Sequence, residues 1–337
     1  MKLKLFTVVL SVFMAGTALA KEDKVIVRLG TVAPEGTPWE RALKKTRKRF
    51  KKMSEGKIKM KTFFGGQKGD EKSMIRQIKD GRLELFGGST AALATEVPDL
   101  QVLELPFLFA SNEEADFILD NFLYEPVKKI IDQYGFVLYQ WAENGWQNFG
   151  MKEGFIKTPA DLKGRKMRSQ EAPVHIATWK TLGASPIEMA VSEVLPALNT
   201  GLVDGFAQTP LFTFAAGWHQ GIKTYTISRH VYQPGIIIYS KKWFKKQSKE
   251  IKEVLMSNIE GDTKNGRKGV RQIEPGLVQN FVNYGIEVYT LTPEERAAFE
   301  KIAEKTHKAY LKRATKGAKK LYKAIQAGKK AFKAQNS

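Results

Sequence analysis

Four histidines, His175, His219, His230 and His307, are the first residues to test for chemistry. No two stand at a ligand spacing such as H-x3-H, and no H-E-x-x-H occurs. They read as surface or packed histidines, and no metal site is expected. Serine chemistry on a strand-to-helix elbow needs G-x-S-x-G. Gly87-Gly88-Ser89-Thr90-Ala91 comes nearest and lacks the last glycine. No P-loop is present, and a plain tight turn explains Gly65-Gly66-x-x-Gly69. The carboxylate pairs Glu113/Glu114 and Glu294/Glu295 sit at helix starts, where the dipole favours them without any chemistry. No catalytic residue is assigned, and no cofactor is expected.

One arginine asks for more. The stretch 161–173, D-L-K-G-R-K-M-R-S-Q-E-A-P, carries Lys163, Arg165, Lys166 and Arg168 within six residues. Arg168 ends a short alternating run just before a turn, where a strand end aims a side chain into a cleft. A guanidinium there offers two parallel charge-assisted bonds to one carboxylate and keeps its proton. Arg165 and Lys166 read as surface charge.

The elements that must position it alternate. Val25, Val27 and Leu29 mark a strand, and Thr37-Pro38-Trp39-Glu40 opens a helix with a capping-box pattern. Ile58 to Phe64 is a second strand, Asp70 caps a second helix closed by Gly81, and Leu83 to Phe86 is a third strand. Strand-helix alternation predicts an α/β domain with a largely parallel sheet. Phe136 to Ala142 is a strand, and Asn144-Gly145 marks the crossover to a second lobe. Gly235-Ile-Ile-Ile-Tyr-Ser240 reads as a strand buried on both faces. A long helical region covers about 245–284, and Thr292-Pro-Glu-Glu295 opens the terminal helix.

Composition fits an exported, folded chain. The 337 residues hold about two domains, with 42% hydrophobic content and no cysteine. Met1 to Ala20 has a positive start, an apolar run of about ten residues, too short to span a bilayer, and an Ala18-Leu-Ala20 cleavage signal. A cleaved signal peptide is expected over 1–20, and Lys21 after the cut excludes a lipidated cysteine. The formal charge of +20 invites a nucleic-acid reading. Export argues against that partner, and so does the pattern. Lys305 to Lys333 contains ten lysines, one arginine and no acid. Leu311, Ala314, Ala318, Leu321, Tyr322 and Ile325 recur through it at helical spacing, so it reads as a packed amphipathic helix with a solvated basic face. The rival reading is a weak contact of 305–333 with anionic membrane or an acidic partner.

An ordered series of motifs goes further. It runs Gly65-Gly66-Gln-Lys-Gly69-Asp-Glu71 with Gln77-x-x-x-Gly81, then Leu105-Pro-Phe-Leu-Phe109, then Thr158-Pro-x-Asp-Leu-Lys-Gly164-x-Lys-x-Arg168. Leu182-Gly-Ala-x-Pro186-x-x-Met-Ala-x-Ser-Glu193 and Ala197-Leu-x-Thr-Gly201-x-Val-Asp-Gly205 complete it. Across nearly all of the mature chain this resembles the DctP-type solute-binding subunit of tripartite ATP-independent periplasmic (TRAP) transporters. The resemblance implies a two-lobed periplasmic binding protein fold with hinge crossings and a long helix shared by both lobes. Lobe I is expected over 21–145 plus about 234–273. Lobe II is expected over 146–233 plus about 274–337, with the basic C-terminal helix. It implies integral-membrane TRAP subunits as partners and periplasmic localisation.

In the family, the arginine at the position of Arg168 pairs with a substrate carboxylate. Gln147 stands where a second arginine is common, and Leu195 where a tyrosine often follows Ser-Glu-Val. Gln208 and Thr209 take the place of an asparagine that contacts ligand, and Ser89 falls at the polar position after the third strand. Trp141, Trp146, Val191, Phe206 and Phe212 are candidate apolar wall. The expected function is capture of a small organic acid, a monocarboxylate with a partly apolar body, for delivery to a TRAP transporter. A neutral hydrophobic or amphipathic ligand in the same fold is the alternative. The rivals from other classes are a hydrolase using Ser89 or Ser169 and a scaffold docking an acidic partner through 305–333.

Overall fold

A computed structural model describes residues 24–336. The signal peptide expected over 1–20 lies outside the described residues. In the first lobe, β1 (Val25–Gly30), α1 (Pro38–Met53), β2 (Ile58–Phe63), α2 (Glu71–Asp80) and β3 (Leu85–Ser89) follow one another. Then come α3 (Thr90–Leu93), α4 (Asn112–Ile118) and α5 (Tyr124–Gln133). β4 (Phe136–Met151) crosses to the second lobe, which holds β5 (Lys166–Ser169), α6 (Pro173–Thr181), β6 (Ser185–Glu188), α7 (Val194–Thr200), β7 (Gly205–Gln208) and α8 (Pro210–Ala215). β8 (Thr224–Ser240) crosses back. After it come α9 (Lys241–Phe244), α10 (Lys249–Leu255), α11 (Ile259–Asn283), β9 (Glu287–Thr290), α12 (Pro293–Arg313) and α13 (Lys316–Gln335).

The strands form one sheet in the order β2-β1-β3-β8-β4-β7-β5-β6, with β9 beside β8. β4 and β8 are antiparallel and long enough to serve both lobes. The later half of β8 pairs with β3, and its first residues pair with β9. The last residues of β4 pair with β7. The lobes are thus joined through the two crossing strands. The apolar run of β8 is buried on both faces, as its sequence predicts. Ile236 and Ile238 enter one core of the first lobe, and Ile237 and Tyr239 enter the other.

Local chemistry sets the element ends. Asp70 accepts from the Ser73 N–H and caps α2, while Gly81 closes it at φ 75°. The Thr292 box forms in full, with Glu295 accepting from Thr292 N–H and Thr292 accepting from Glu295 N–H. Thr37 does not complete the box expected of it. Its hydroxyl donates to the Pro34 carbonyl, and Glu40 takes the Gly36 N–H instead.

Three expectations change. The helical region 245–284 is two helices, broken where Asn258 turns left-handed at φ 58°. α11 packs against α1 and β4 in the first lobe, and against α8 and β9 in the second. The terminal helix is likewise two, because Thr315 starts a new cap by accepting from Ala318 N–H. α12 packs on α6, with Phe299 in a second-lobe core. α13 instead returns to the first lobe, where Ala318, Leu321 and Ile325 are fully buried in its larger core. The 316–335 part of the expected second-lobe segment therefore packs on the first lobe. An apolar stripe on a helix goes wherever a complementary face stands.

Candidate ligand-binding site

Arg168 sits on β5 between β6 and β7. Strand alternation sends Met167 into a core and Arg168 to the opposite face. Arg168 is 4% exposed. Its Nη2 donates to the Met189 carbonyl at 3.1 Å, and its Nε and Nη1 have no partner. The guanidinium lies 5.1 Å from the Trp218 ring centroid. Burial pushes its pKa down to about 10, against the pull of Glu71, Glu171 and Glu193, so it is a cation at neutral pH. A buried cation with two idle donors is costly unless something accepts from them.

The facing wall comes from the first lobe. β3 ends at Ser89, whose Oγ accepts from Ala92 N–H and caps α3. Ser89 also donates twice to Glu71, from its N–H at 2.7 Å and its hydroxyl at 2.9 Å. Gly88 makes that approach possible, since a Cβ there would lie 2.3 Å from Glu71 Oε1. Glu71 is raised above the usual carboxylate range, chiefly by burial, with the Ser89 bonds pulling the other way.

Between the walls lies a cleft with two compartments. One, of about 420 Å³ including its open mouth, is lined by Arg168, Lys72, Glu171 and Met189 among others. The second, of about 560 Å³ including its open mouth, is lined by Trp39, Asn144, Gln208, Thr209, Phe212 and Gln233 among others. Glu71, Ser89, Gln170 and Val191 line both. Glu71 is the one charged residue lining the second compartment, which holds no cation among the described residues. Lys72 and Glu171 approach to 3.7 Å across the first, one from each lobe.

Of the residues singled out in the sequence, Arg168, Ser89, Val191, Gln208 and Thr209 come together here, with Phe212. Gln208 and Thr209 hold each other through the Thr209 N–H at 2.8 Å, and Thr209 caps α8. Gln147 is buried with an unpartnered side-chain nitrogen, and it lines neither compartment. Three aromatic candidates are core instead of wall. Trp146 donates to Asn112 and packs edge-on against Tyr232, Trp141 donates to the Leu119 carbonyl, and Phe206 packs on Trp218. Large rings on strands buried on both faces have no cleft to reach.

Sequence reasoning missed Trp39, Asn144, Gln170 and Gln233 as lining residues. Gln233 donates to Glu104 and to Gln170, and accepts from Asn144. Asn144 is the extra residue of a bulge, where β4 pairing jumps from Glu143–Pro234 to Gly145–Gln233. The Asn-Gly pair was the available signal, with Gly145 at φ 103°.

The hydrolase reading finds no support here. Ser89 bonds a carboxylate, and Ser169 donates to the Gln170 carbonyl. The histidine bonds run elsewhere, from His175 to Glu104, His230 to Ser228, and His307 to Pro106 and Tyr322. No metal-ligand cluster occurs among the described residues.

Known proteins share this fold. The family model for DctP, bacterial extracellular solute-binding protein, family 7, matches residues 29–313. The 2,3-diketo-L-gulonate-binding periplasmic protein YiaO of Escherichia coli is 27% identical over 300 residues, 88% of this chain and 91% of that protein. A solute-binding protein of Verminephrobacter eiseniae is 35% identical over 199 residues, which is 59% of each chain. The sugar acid binding protein DctPAm of Advenella mimigardefordensis, solved in complex with galactonate, superposes with a TM-score of 0.86 at 26% identity. That match covers 91% of this chain and 99% of the other. With the family model spanning both lobes, the chain belongs to the DctP family of bacterial extracellular solute-binding proteins: a periplasmic solute-binding protein of the TRAP type, which binds and does not catalyse.

Proposed function

We propose that this protein captures a small monocarboxylate, holds its carboxylate on Arg168, and hands it to a TRAP membrane transporter. The observation that carries the reading is Arg168 itself, a buried cation with two donors lacking partners at the cleft. In the same reading, residues 1–20 are removed on export. The body of the acid extends into the second compartment, past the amides of Asn144, Gln170 and Gln233 and the apolar strip of Trp39, Val191 and Phe212. The absence of a lining cation there argues for an uncharged, partly apolar body. Galactonate and 2,3-diketo-L-gulonate, named for the relatives, each carry one carboxylate, which suits the single arginine. A neutral amphipathic ligand would give the buried charge of Arg168 no charged acceptor. The exposed lysines of 305–333 are proposed to give a weak, salt-sensitive contact with anionic membrane during delivery.

The test is a thermal-shift panel of sugar acids, apolar-bodied monocarboxylates, succinate and neutral amphiphiles. At about one hundred times its Kd, a true ligand adds about 2.7 kcal/mol to stability. Monocarboxylates should raise the melting temperature and succinate should not. A response confined to neutral amphiphiles would overturn the proposal.

A further inference from the structure

Behind the cleft wall lies a second pocket, of about 500 Å³ including space open to solvent, between α1 and α11 over β4 and β8. Trp39 lines both it and the cleft. Its other walls are largely carbon, from Leu43 on α1, Ala142 on β4, Ile237 on β8 and Val270 on α11. Gly266 on α11 leaves part of the space open, since a Cβ there would meet no atom within 4 Å.

The polar groups of the cavity are selective. Both acids that line it are already committed. Asp262 accepts from Arg49, Thr46 and Tyr139, and Glu143 accepts from Arg271 and Tyr232. Lys45 and Asn265 are exposed residues at its rim. Gln140 is different. It is 4% exposed, lines the cavity, and its side-chain oxygen accepts no hydrogen bond. A buried amide oxygen without a donor invites one.

We propose that this cavity is a second small-molecule site, for an uncharged molecule with a compact apolar body and one N–H or O–H donor directed at Gln140. Committed acids and a solvent-facing lysine give a charged ligand no partner. The site is therefore separate in chemistry from the Arg168 cleft, and an occupant would rest against the indole that also walls the cleft.

Indole is a suitable probe, being apolar with a single N–H, and benzothiophene has its shape without that donor. Saturation-transfer NMR and calorimetry on the mature protein should show indole binding. Gly266→Leu, which fills the open space, should abolish it. Gln140→Leu should weaken indole about tenfold and leave benzothiophene unchanged. Should Gly266→Leu fold poorly, Ala42→Leu fills the cavity from the α1 side. The proposal fails if wild-type protein gives no indole signal, or if both filling variants bind indole as well as wild type. It fails also if indole and benzothiophene bind alike, which would mean that water satisfies Gln140.

Discussion

On the proposed reading, Arg168 binds ligand at a cost to the empty fold. A guanidinium that is nearly buried and bonded through one of its nitrogens is desolvated without full compensation. Arg168→Met should therefore stabilise the ligand-free protein, by about 1–3 kcal/mol, in urea unfolding of stripped samples. A loss of stability would make Arg168 a structural residue. His230 offers a test in pH. Burial pushes it down to about 3 from an ordinary 6.5, so the folded ring is neutral. Between those values the unfolded chain binds the extra proton, and stability falls as pH drops from about 6.5 toward 3. The ring stacks on Phe149 at 4.1 Å, so His230→Phe keeps the packing and removes the titration. Its unfolding free energy should fall less steeply over that window than the wild type's, and parallel curves would contradict the assignment. At this scale the sequence was legible where a motif led to a cleft-lining residue, as with Arg168. It was not legible where a backbone irregularity aims a side chain, as the bulge does for Asn144, or where a distant strand delivers it, as β8 does for Gln233.

Elements were easier to read, because periodicity and caps are local signals. The Ile236–Tyr239 run, Asp70, Gly81 and the Thr292 box each did what their residue types dictate. The destination of an apolar stripe is not local. The spacing of Ala318, Leu321 and Ile325 announces a buried face, and nothing in it says that the face belongs to the first lobe. Leu321→Ala, at a fully buried position, should cost about 2–5 kcal/mol. Replacing exposed Lys319, Lys320 and Lys323 by glutamine should change stability by no more than about 0.5 kcal/mol each. Chemical denaturation of the two variants checks both. A destabilised glutamine variant would show the lysines to be structural.

Across the whole molecule, the binding cleft is the gap between two rigid lobes tied by β4, β8 and α11. α11 is clamped to the hinge by Arg271, which bonds both Asp116 and Glu143, and by Arg267 on Asp120. Lys72–Glu171, an ion pair across the cleft, is partly exposed, and such pairs contribute little. On the proposed reading, closure draws on the ligand, whose carboxylate is held by Arg168. Small-angle scattering should show contraction on ligand addition in wild type and in Lys72→Ala, whose affinity should change less than about fivefold. Loss of contraction in Lys72→Ala would place the closing energy in that ion pair.

The most direct test is what the protein carries. Mature wild-type protein and Arg168→Ala, purified natively and then denatured, would release their bound molecules for mass spectrometry. Losing a desolvated charge partner costs about 2–5 kcal/mol, about 30- to several-thousand-fold in affinity. The prediction is a monocarboxylate released from wild type and absent from the variant. The same molecule recovered equally from both, or a neutral one, would contradict the role of Arg168.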